Sequence, residues 1–294
     1  MVTVCKILPV SMELESLKMR LRSHLDEIAR PRDPYLATQG HFYVREYIRQ
    51  TLSQWGQVET HEVKYSQRSH ENLILTVWPT SNPCNLAPMV VGAHYDSVPA
   101  SPGADDNASG VAVLLELARL LHHQSTRRPV QLIAFDLEEV GLLGSRAYAE
   151  WLKQKQQRLK VMLSLEMLGY RTTQRNSQHY PQPLEKFYPD RGDFIALIGN
   201  IPTIPMMMHF CHHLRQTGTK SEWLPAGWQG KILPRTRASD HAPFWDVGYP
   251  AIMVTDTADL RNPHYHQSSD TIATLDLDFM TGICAGLARA IQVL

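Results

Sequence analysis

Apolar residues recur along the chain in two alternating periods. Leu14, Leu17, Leu21, Leu25 and Ile28 fall at helical spacing before Pro31 and Pro34, which predicts an amphipathic first helix. A second helical pattern, from Thr38 to Trp55, carries Phe42, Tyr47, Ile48 and Leu52 and stops at Gly56. Leu73 to Trp78 and Met89 to Ala93 are short apolar runs bounded by Asn and Pro, as strands buried within a sheet are. The pattern then predicts a helix over Gly110 to Leu121, a strand over Val130 to Phe135, a helix over Leu142 to Leu152 and a strand over Val161 to Leu165. Further strands are expected at Phe194 to Ile198 and Ala251 to Val254, with helices at His209 to Arg215 and Leu277 to Leu294. This alternation implies an α/β fold with a central mixed, mostly parallel sheet and helices on both faces. No internal repeat or Ser/Gly-rich linker marks a boundary, so residues 1–294 are read as one globular domain with residues 1–56 packed on it as a helical segment. Between Tyr170 and Asp190 the composition turns to Thr, Gln, Asn, Ser, Pro and Tyr, which predicts a long irregular loop of the kind that often carries function.

Composition narrows the class of partner. A chain of 294 residues can bury a substantial core. Lys plus Arg and Asp plus Glu both number 29, so there is no basic field for nucleic acid or an anionic membrane, and small or neutral substrates fit better. No stretch reaches the roughly 18 apolar residues of a membrane span. Cys5, Cys84, Cys211 and Cys284 are scattered, without the paired spacing of a zinc ribbon or a disulfide framework, which points to a reducing compartment. Met1 to Val10 holds one early lysine and a short apolar run, but Glu13 and Glu15 follow at once and no small-residue cleavage site stands out. A soluble, cytoplasmic protein without a signal peptide is the expectation.

The chemistry gathers at strand ends. The run Val130 to Phe135 leads into Asp-Leu-Glu138-Glu139-Val-Gly, so a buried strand delivers two adjacent carboxylates to its carboxyl end, where ligands bind in open α/β sheets. Like charges side by side in a crevice need a cation, and a metal is the natural candidate. Adjacent residues point in different directions, so one carboxylate can coordinate the metal while its neighbour serves as a general base on water. An exposed helix start with acidic residues facing its dipole would look the same in isolation.

Four other segments end at the same mouth. His94 and Asp96 stand two apart, so on a continuing strand they share a face, and Asp96 can accept the second imidazole N–H and orient His94. The tight loop Pro102 to Gly110 carries Asp105 and Asp106 into the next helix; such acids commonly cap, but a carboxylate held so soon after His94 can also bridge two ions. Glu166 ends the strand begun at Val161, and the polar loop Asn262 to Thr271 holds His264 and His266. Together the chain supplies His, Asp, Glu, Glu and His at successive strand-to-loop junctions, enough for two ions sharing one carboxylate with room for water.

The segments His94-Tyr-Asp-Ser, Pro102-Gly-Ala-Asp-Asp-Asn-Ala-Ser-Gly, Glu138-Glu-Val-Gly-Leu-Leu-Gly-Ser, Ser239-Asp-His-Ala-Pro-Phe-Trp and Tyr265-His-Gln-Ser-Ser-Asp-Thr, in this order, resemble the M28 family of zinc aminopeptidases. The resemblance spans about Met89 to Thr271 and implies a zinc-peptidase-like fold with two zinc ions per chain. By it, His94, Asp106 and Glu166 would hold one ion, and Asp106, Glu139 and His266 the other, with Asp106 shared. Glu138 would be the general base, Asp96 the residue that orients His94, and the Asp106-Asn107 bond would be cis. Tyr265 stands where some family members place a tyrosine that hydrogen-bonds the tetrahedral intermediate. Glu166 departs from the family's usual Asp but keeps an oxygen donor. The substrate so implied is a peptide with a free N-terminus, cleaved at its first bond, with the 170–190 loop at the active site.

Other readings belong beside this one. Glutaminyl cyclases share the fold but look like single-zinc relatives, and the Glu138 to Ser145 segment is peptidase-like. A catalytically inactive M28-like binding domain would typically have lost ligands, whereas each position here keeps a metal-capable side chain. His209 and His213 have metal-capable i, i+4 spacing but lack the His-Glu-x-x-His signature, so a solvated helix face is expected. His122 and His123 suit a helix carboxyl end, Met206 to Met208 a core or loop-filling role, and Asp240 and His241 a supporting one.

Overall fold

The leucine repeat becomes one face of a long helix, α1 (Val10–Ile28), on which Leu17, Leu21, Leu25 and Ile28 are at most 4 % exposed. The computed structural model describes residues 10–79 and 86–294, so Cys5, Cys84 and most of the amino-terminal stretch read for a leader lie outside it. Helix α2 (Thr38–Ser53) buries Val44, Ile48 and Leu52 beside α1 in the same core.

Eight strands form one mixed sheet. They are β1 (Val58–Tyr65), β2 (Arg68–Val77), β3 (Met89–His94), β4 (Val130–Phe135), β5 (Val161–Glu166), β6 (Ile195–Gly199), β7 (Ser221–Pro225) and β8 (Ala251–Thr255). Their order is β1-β2-β4-β3-β5-β8-β6-β7. The four central strands, β4, β3, β5 and β8, run parallel, while β2 joins β4 and β6 joins β8 antiparallel. All carboxyl ends of the central four therefore open on one edge. The remaining helices are α3 (Gly110–His123), α4 (Leu143–Gln154), α5 (Ile204–Gln216), α6 (His241–Asp246) and α7 (Leu277–Val293).

Strand alternation divides the core into two layers. Met89, Val91 and Ala93 of β3 and Leu163 and Leu165 of β5 face the larger layer, filled by α1, α2, α3, α5 and α7. Val90, Ile133, Phe135 and Met162 face the smaller one, filled by Tyr148 and Leu152 of α4 and Phe244 and Trp245 of α6. Gly92 is required there: a Cβ at this position would stand 2.3 Å from the Phe135 ring. The result is the single α/β domain with helices on both faces that the alternation predicts.

Two strands and one helix escape the apolar pattern. β1 pairs with β2 and is mostly exposed at the sheet's edge, and β7 closes the other edge with only Ser221 fully buried, so neither carries a buried strand's run. The short α6 and the first turns of α5, which begins at Ile204, are also additions. Met206 and Met207 enter the core while Met208 is exposed. His209 is half-buried, with its Nε2 3.0 Å from the Ala290 carbonyl, rather than on a fully solvated face. No helix among the described residues is long and apolar enough to cross a membrane.

Because α1 joins the larger core through completely buried leucines, Leu21→Ala is expected to cost about 2–5 kcal/mol of stability in urea unfolding. A loss below about 1 kcal/mol would show that α1 is not part of the cooperative unit.

Candidate metal centre

β3 ends on His94, which is 1 % exposed, and Asp96 two residues on lies 3.4 Å from its Nδ1. Asp96 also reaches the next turn. Its two oxygens accept the main-chain N–H groups of Glu138 and Glu139, each at 3.1 Å. One carboxylate thus ties the end of β3 to the turn after β4. That turn is held from behind as well: Asn72 of β2 accepts from the Asp136 N–H at 3.1 Å and donates to the Gly144 carbonyl at 2.9 Å.

The loop before α3 brings Asp106 in beside His94. The Asp106-Asn107 peptide is cis, as the resemblance implied. Asn107 donates to the Leu165 carbonyl at 2.8 Å and accepts from the N–H groups of Gly110 and Met167 at 3.1 Å, fastening the loop to β5. Asp105 accepts from Gly169 N–H at 2.8 Å and from Asn262 Nδ2 at 2.7 Å, fastening it to the loop that bears His266. Asp105 thus joins neighbouring loops, while Asp106 faces the histidines.

Asp106 Oδ1 is 3.3 Å from His94 Nε2, and Asp106 Oδ2 is 3.1 Å from His266 Nε2. Glu139 Oε2 lies 3.4 Å from His266 Nε2, and Glu138 Oε2 4.0 Å from His94 Nε2. Glu166 Oε2 stands 3.6 Å from His94 Nε2 and accepts a 2.6 Å hydrogen bond from Ser239. The Tyr265 ring stacks on His266 with centroids 3.8 Å apart. All the residues singled out for this centre therefore meet, whereas His264 turns away to Ser269 at 2.9 Å. Ser239, which seats the longer Glu166 side chain, went unnoticed as an individual residue; its place in the Ser239-Asp240-His241 segment was the available signal.

The cluster is short of positive charge. Burial first, and then the charges of Glu166, Glu139 and Asp240, push the Glu138 carboxyl far above its ordinary range against the pull of His94. Burial and Asp106 raise Glu139 to about 7, against contacts with His266 and His94. Asp240, fully buried, is pushed up to about 7 by burial, with Glu166 and Asp96 adding to it. Asp106 stays below the ordinary carboxylate range because contacts with His266 and His94 outweigh its burial. Burial would lower His266, yet Asp106 and Glu139 drive it up to about 10. The two imidazoles are thus the cationic partners that these carboxylates have within the chain.

These donors fit a metal. Both His94 ring nitrogens and Glu139 Oε1 are buried without a hydrogen bond, and imidazole with carboxylate is a ligand set suited to zinc. Ligand atoms within 4.8 Å of one another form two groups here, His94 with Glu138 and Glu166, and His94 with Asp106 and Glu139. The residue common to both groups is His94, and not Asp106 as the resemblance implies. The reason is positional: the His94 ring lies between the carboxylates of three loops, while His266 stands at the rim, 36 % exposed. A third group, His41, His70 and Asp136, differs in kind. Its carboxylate is already engaged, with Oδ1 2.8 Å from His41 Nε2 and accepting from Leu137 N–H at 2.9 Å, and Oδ2 3.2 Å from His70 Nδ1. It is a strut joining α2 and β2 to the base of the Glu138 turn.

A cavity of about 370 Å³ is lined by Tyr180 and Tyr188 of the 170–190 loop, Trp223 of β7, and Phe194, Leu233 and Leu260. None of the metal-site residues lines it.

Comparison with known proteins identifies relatives of this chain. The model of peptidase family M28 matches residues 72–195 and 219–290, well over half of the chain. The protein YfbL of Escherichia coli is 37 % identical over 257 residues, covering 82 % of this chain and 77 % of its own length. Aminopeptidase YwaD of Bacillus subtilis is 31 % identical over 186 residues, 62 % of this chain, and the match spans only 35 % of YwaD. The LapA aminopeptidase of Legionella pneumophila superposes with a TM-score of 0.71, covering 100 % of this chain and 76 % of that one, at 18 % identity, a likeness of fold.

Because Asp96 lies against His94 and ties down the Glu138-Glu139 main chain, Asp96→Ala is expected to weaken zinc binding by about 10–100-fold in chelator competition. Unchanged affinity would show that neither tie matters to the centre.

Proposed function

The chain belongs to peptidase family M28, and on that basis we propose that it is a zinc-dependent aminopeptidase that removes the first residue of a peptide. The observation that carries this reading is the division of the acidic doublet. Glu139 turns to His266 at 3.4 Å, while Glu138 keeps 4.0 Å from His94 on the other side of the site, its proton affinity raised first by burial.

Zinc would be held by His94, Asp106 and Glu166 on one side and by Asp106, Glu139 and His266 on the other. The opposite facing of the two Asp106 oxygens supports its place between the ions; a single imidazole nitrogen has one lone pair and cannot serve two. When bound, zinc would supply Lewis acidity, polarising the scissile carbonyl and making water more acidic. Glu138 takes the proton from the attacking water and later gives it to the departing amine, a task open to a carboxylate that stands beside the ligands without being one of them. Tyr265 keeps its phenolic proton, since burial and then the charges of Asp106 and Glu166 raise its pKa, and it offers that O–H to the carbonyl oxygen as negative charge builds there. The free ammonium of the substrate is drawn to the same excess of carboxylates.

The 170–190 loop and residues 233–236 flank the apolar cavity, which supports a role for that loop in accommodating an apolar substrate side chain. Residues 1–294 act as a single catalytic unit in this reading. The buried free thiols Cys211 and Cys284 are in keeping with a reducing compartment such as the cytoplasm.

Glu138→Gln is expected to bind the same amount of zinc as the parent protein and to lose at least about 10²–10⁴-fold in the release of the first residue from an aminoacyl amide. Turnover at the parent rate in that variant would remove Glu138 from the mechanism.

A further inference from the structure

Arg32 lies in the connection between α1 and α2, far from the metal ligands in sequence, yet its side chain is fully buried and reaches the loops that carry them. Its guanidinium bonds only to main-chain oxygens. Nε donates to Tyr95 at 2.8 Å, Nη1 to Pro102 at 2.6 Å and to Arg30 at 3.2 Å, and Nη2 to Gly103 at 2.9 Å and Asp106 at 3.2 Å. A longer contact, 3.4 Å from Nη1, reaches Ile28.

The same turn is gripped through its N–H groups. Asp270 Oδ1 accepts from Asp105 at 2.9 Å, and its Oδ2 accepts from Asp106 at 3.1 Å. The carbonyls of Gly103 and Asp106 thus rest on a cation, and the N–H groups of Asp105 and Asp106 on an anion. Gly103 shows how closely the turn is fitted to Arg32. It has φ of 56°, and a Cβ there would stand 2.2 Å from the Asp106 carbonyl oxygen and 2.9 Å from both guanidinium Nη atoms.

A loop that merely connected β3 to α3 could leave these carbonyls to water. Burying a guanidinium to hold them is costly unless its donors are well used, and its planar fork fixes acceptor directions that a lysine cannot. What the grip fixes is Asp106, bonded through both its carbonyl and its N–H, with its carboxylate between His94 and His266.

We propose that Arg32 and Asp270 form a two-sided clamp that aims the Asp106 carboxylate at the metal ions. They are positioning residues for zinc binding, and the inference rests on the two-zinc reading above. Arg32→Lys keeps the charge but loses the fork; Asp270→Asn keeps the size but loses one acceptor.

The test loads the full chain and both variants with zinc and follows zinc release to a chromophoric chelator. It is run at a temperature where circular dichroism shows each protein fully folded. Release at least about tenfold faster than from the parent is expected in each folded variant. A parent release rate in either folded variant, with only the thermal midpoint lowered, makes that side chain a structural support and overturns the clamp. If Arg32→Lys does not fold, Asp270→Asn decides. A parent protein that takes up no zinc is a separate result, removing the two-zinc reading and the clamp with it.

Discussion

Six carboxylates, those of Asp96, Asp106, Glu138, Glu139, Glu166 and Asp240, surround His94 in a space largely closed to water, and most of the surrounding architecture answers that concentration of negative charge. Unmet charges in such a place are costly, and burial raises the proton affinity of the cluster until something positive arrives. The protein meets the problem from behind with the Ser239 hydroxyl on Glu166 and from in front with two imidazoles. In the proposed function two zinc ions would add positive charge to this cluster, with Glu138 left as the proton carrier.

The sheet brings the charges together. β4, β3, β5 and β8 are adjacent and parallel, so the Glu138-Glu139 turn, His94, Glu166 and the segment leading to His266 all lie beyond one edge. The antiparallel β1 and β2 and the β6-β7 pair contribute no metal ligand; they widen the sheet and, on the β7 side, form part of the apolar cavity. Hydrogen bonds made by buried Asp and Asn side chains then set the fine positions. Asp96 draws the β4 turn to β3, Asn107 draws the Asp106 loop to β5, and Asp105 draws that loop to Asn262. Each tie joins segments that are distant in sequence, so displacing one is expected to shift several ligands.

The fold was legible where burial wrote a period into the sequence. Leu17, Leu21, Leu25 and Ile28 foretold α1, and the continuous runs of β3, β4 and β5 foretold the central sheet. β1 and β7 were hidden because an edge strand with one solvated face has no such run. His94, Asp106, Glu138, Glu139, Glu166 and His266 could be picked out because His, Asp and Glu recur at successive strand-to-loop junctions, in motifs that resemble the M28 family. Arg32 could not: its partners are backbone oxygens, which leave no mark on the identity of the residues that supply them. The residue common to the close ligand groups was likewise a matter of ring placement, since spacing alone does not say that His94 lies among three carboxylate-bearing loops.

The most direct measurement is anomalous scattering at the zinc absorption edge from crystals of the protein grown with zinc. Two peaks are predicted, one beside His94 and Glu166 and one beside Glu139 and His266, with Asp106 between them. A single peak, or none at these residues, would contradict a co-catalytic pair of zinc ions as the basis of the activity.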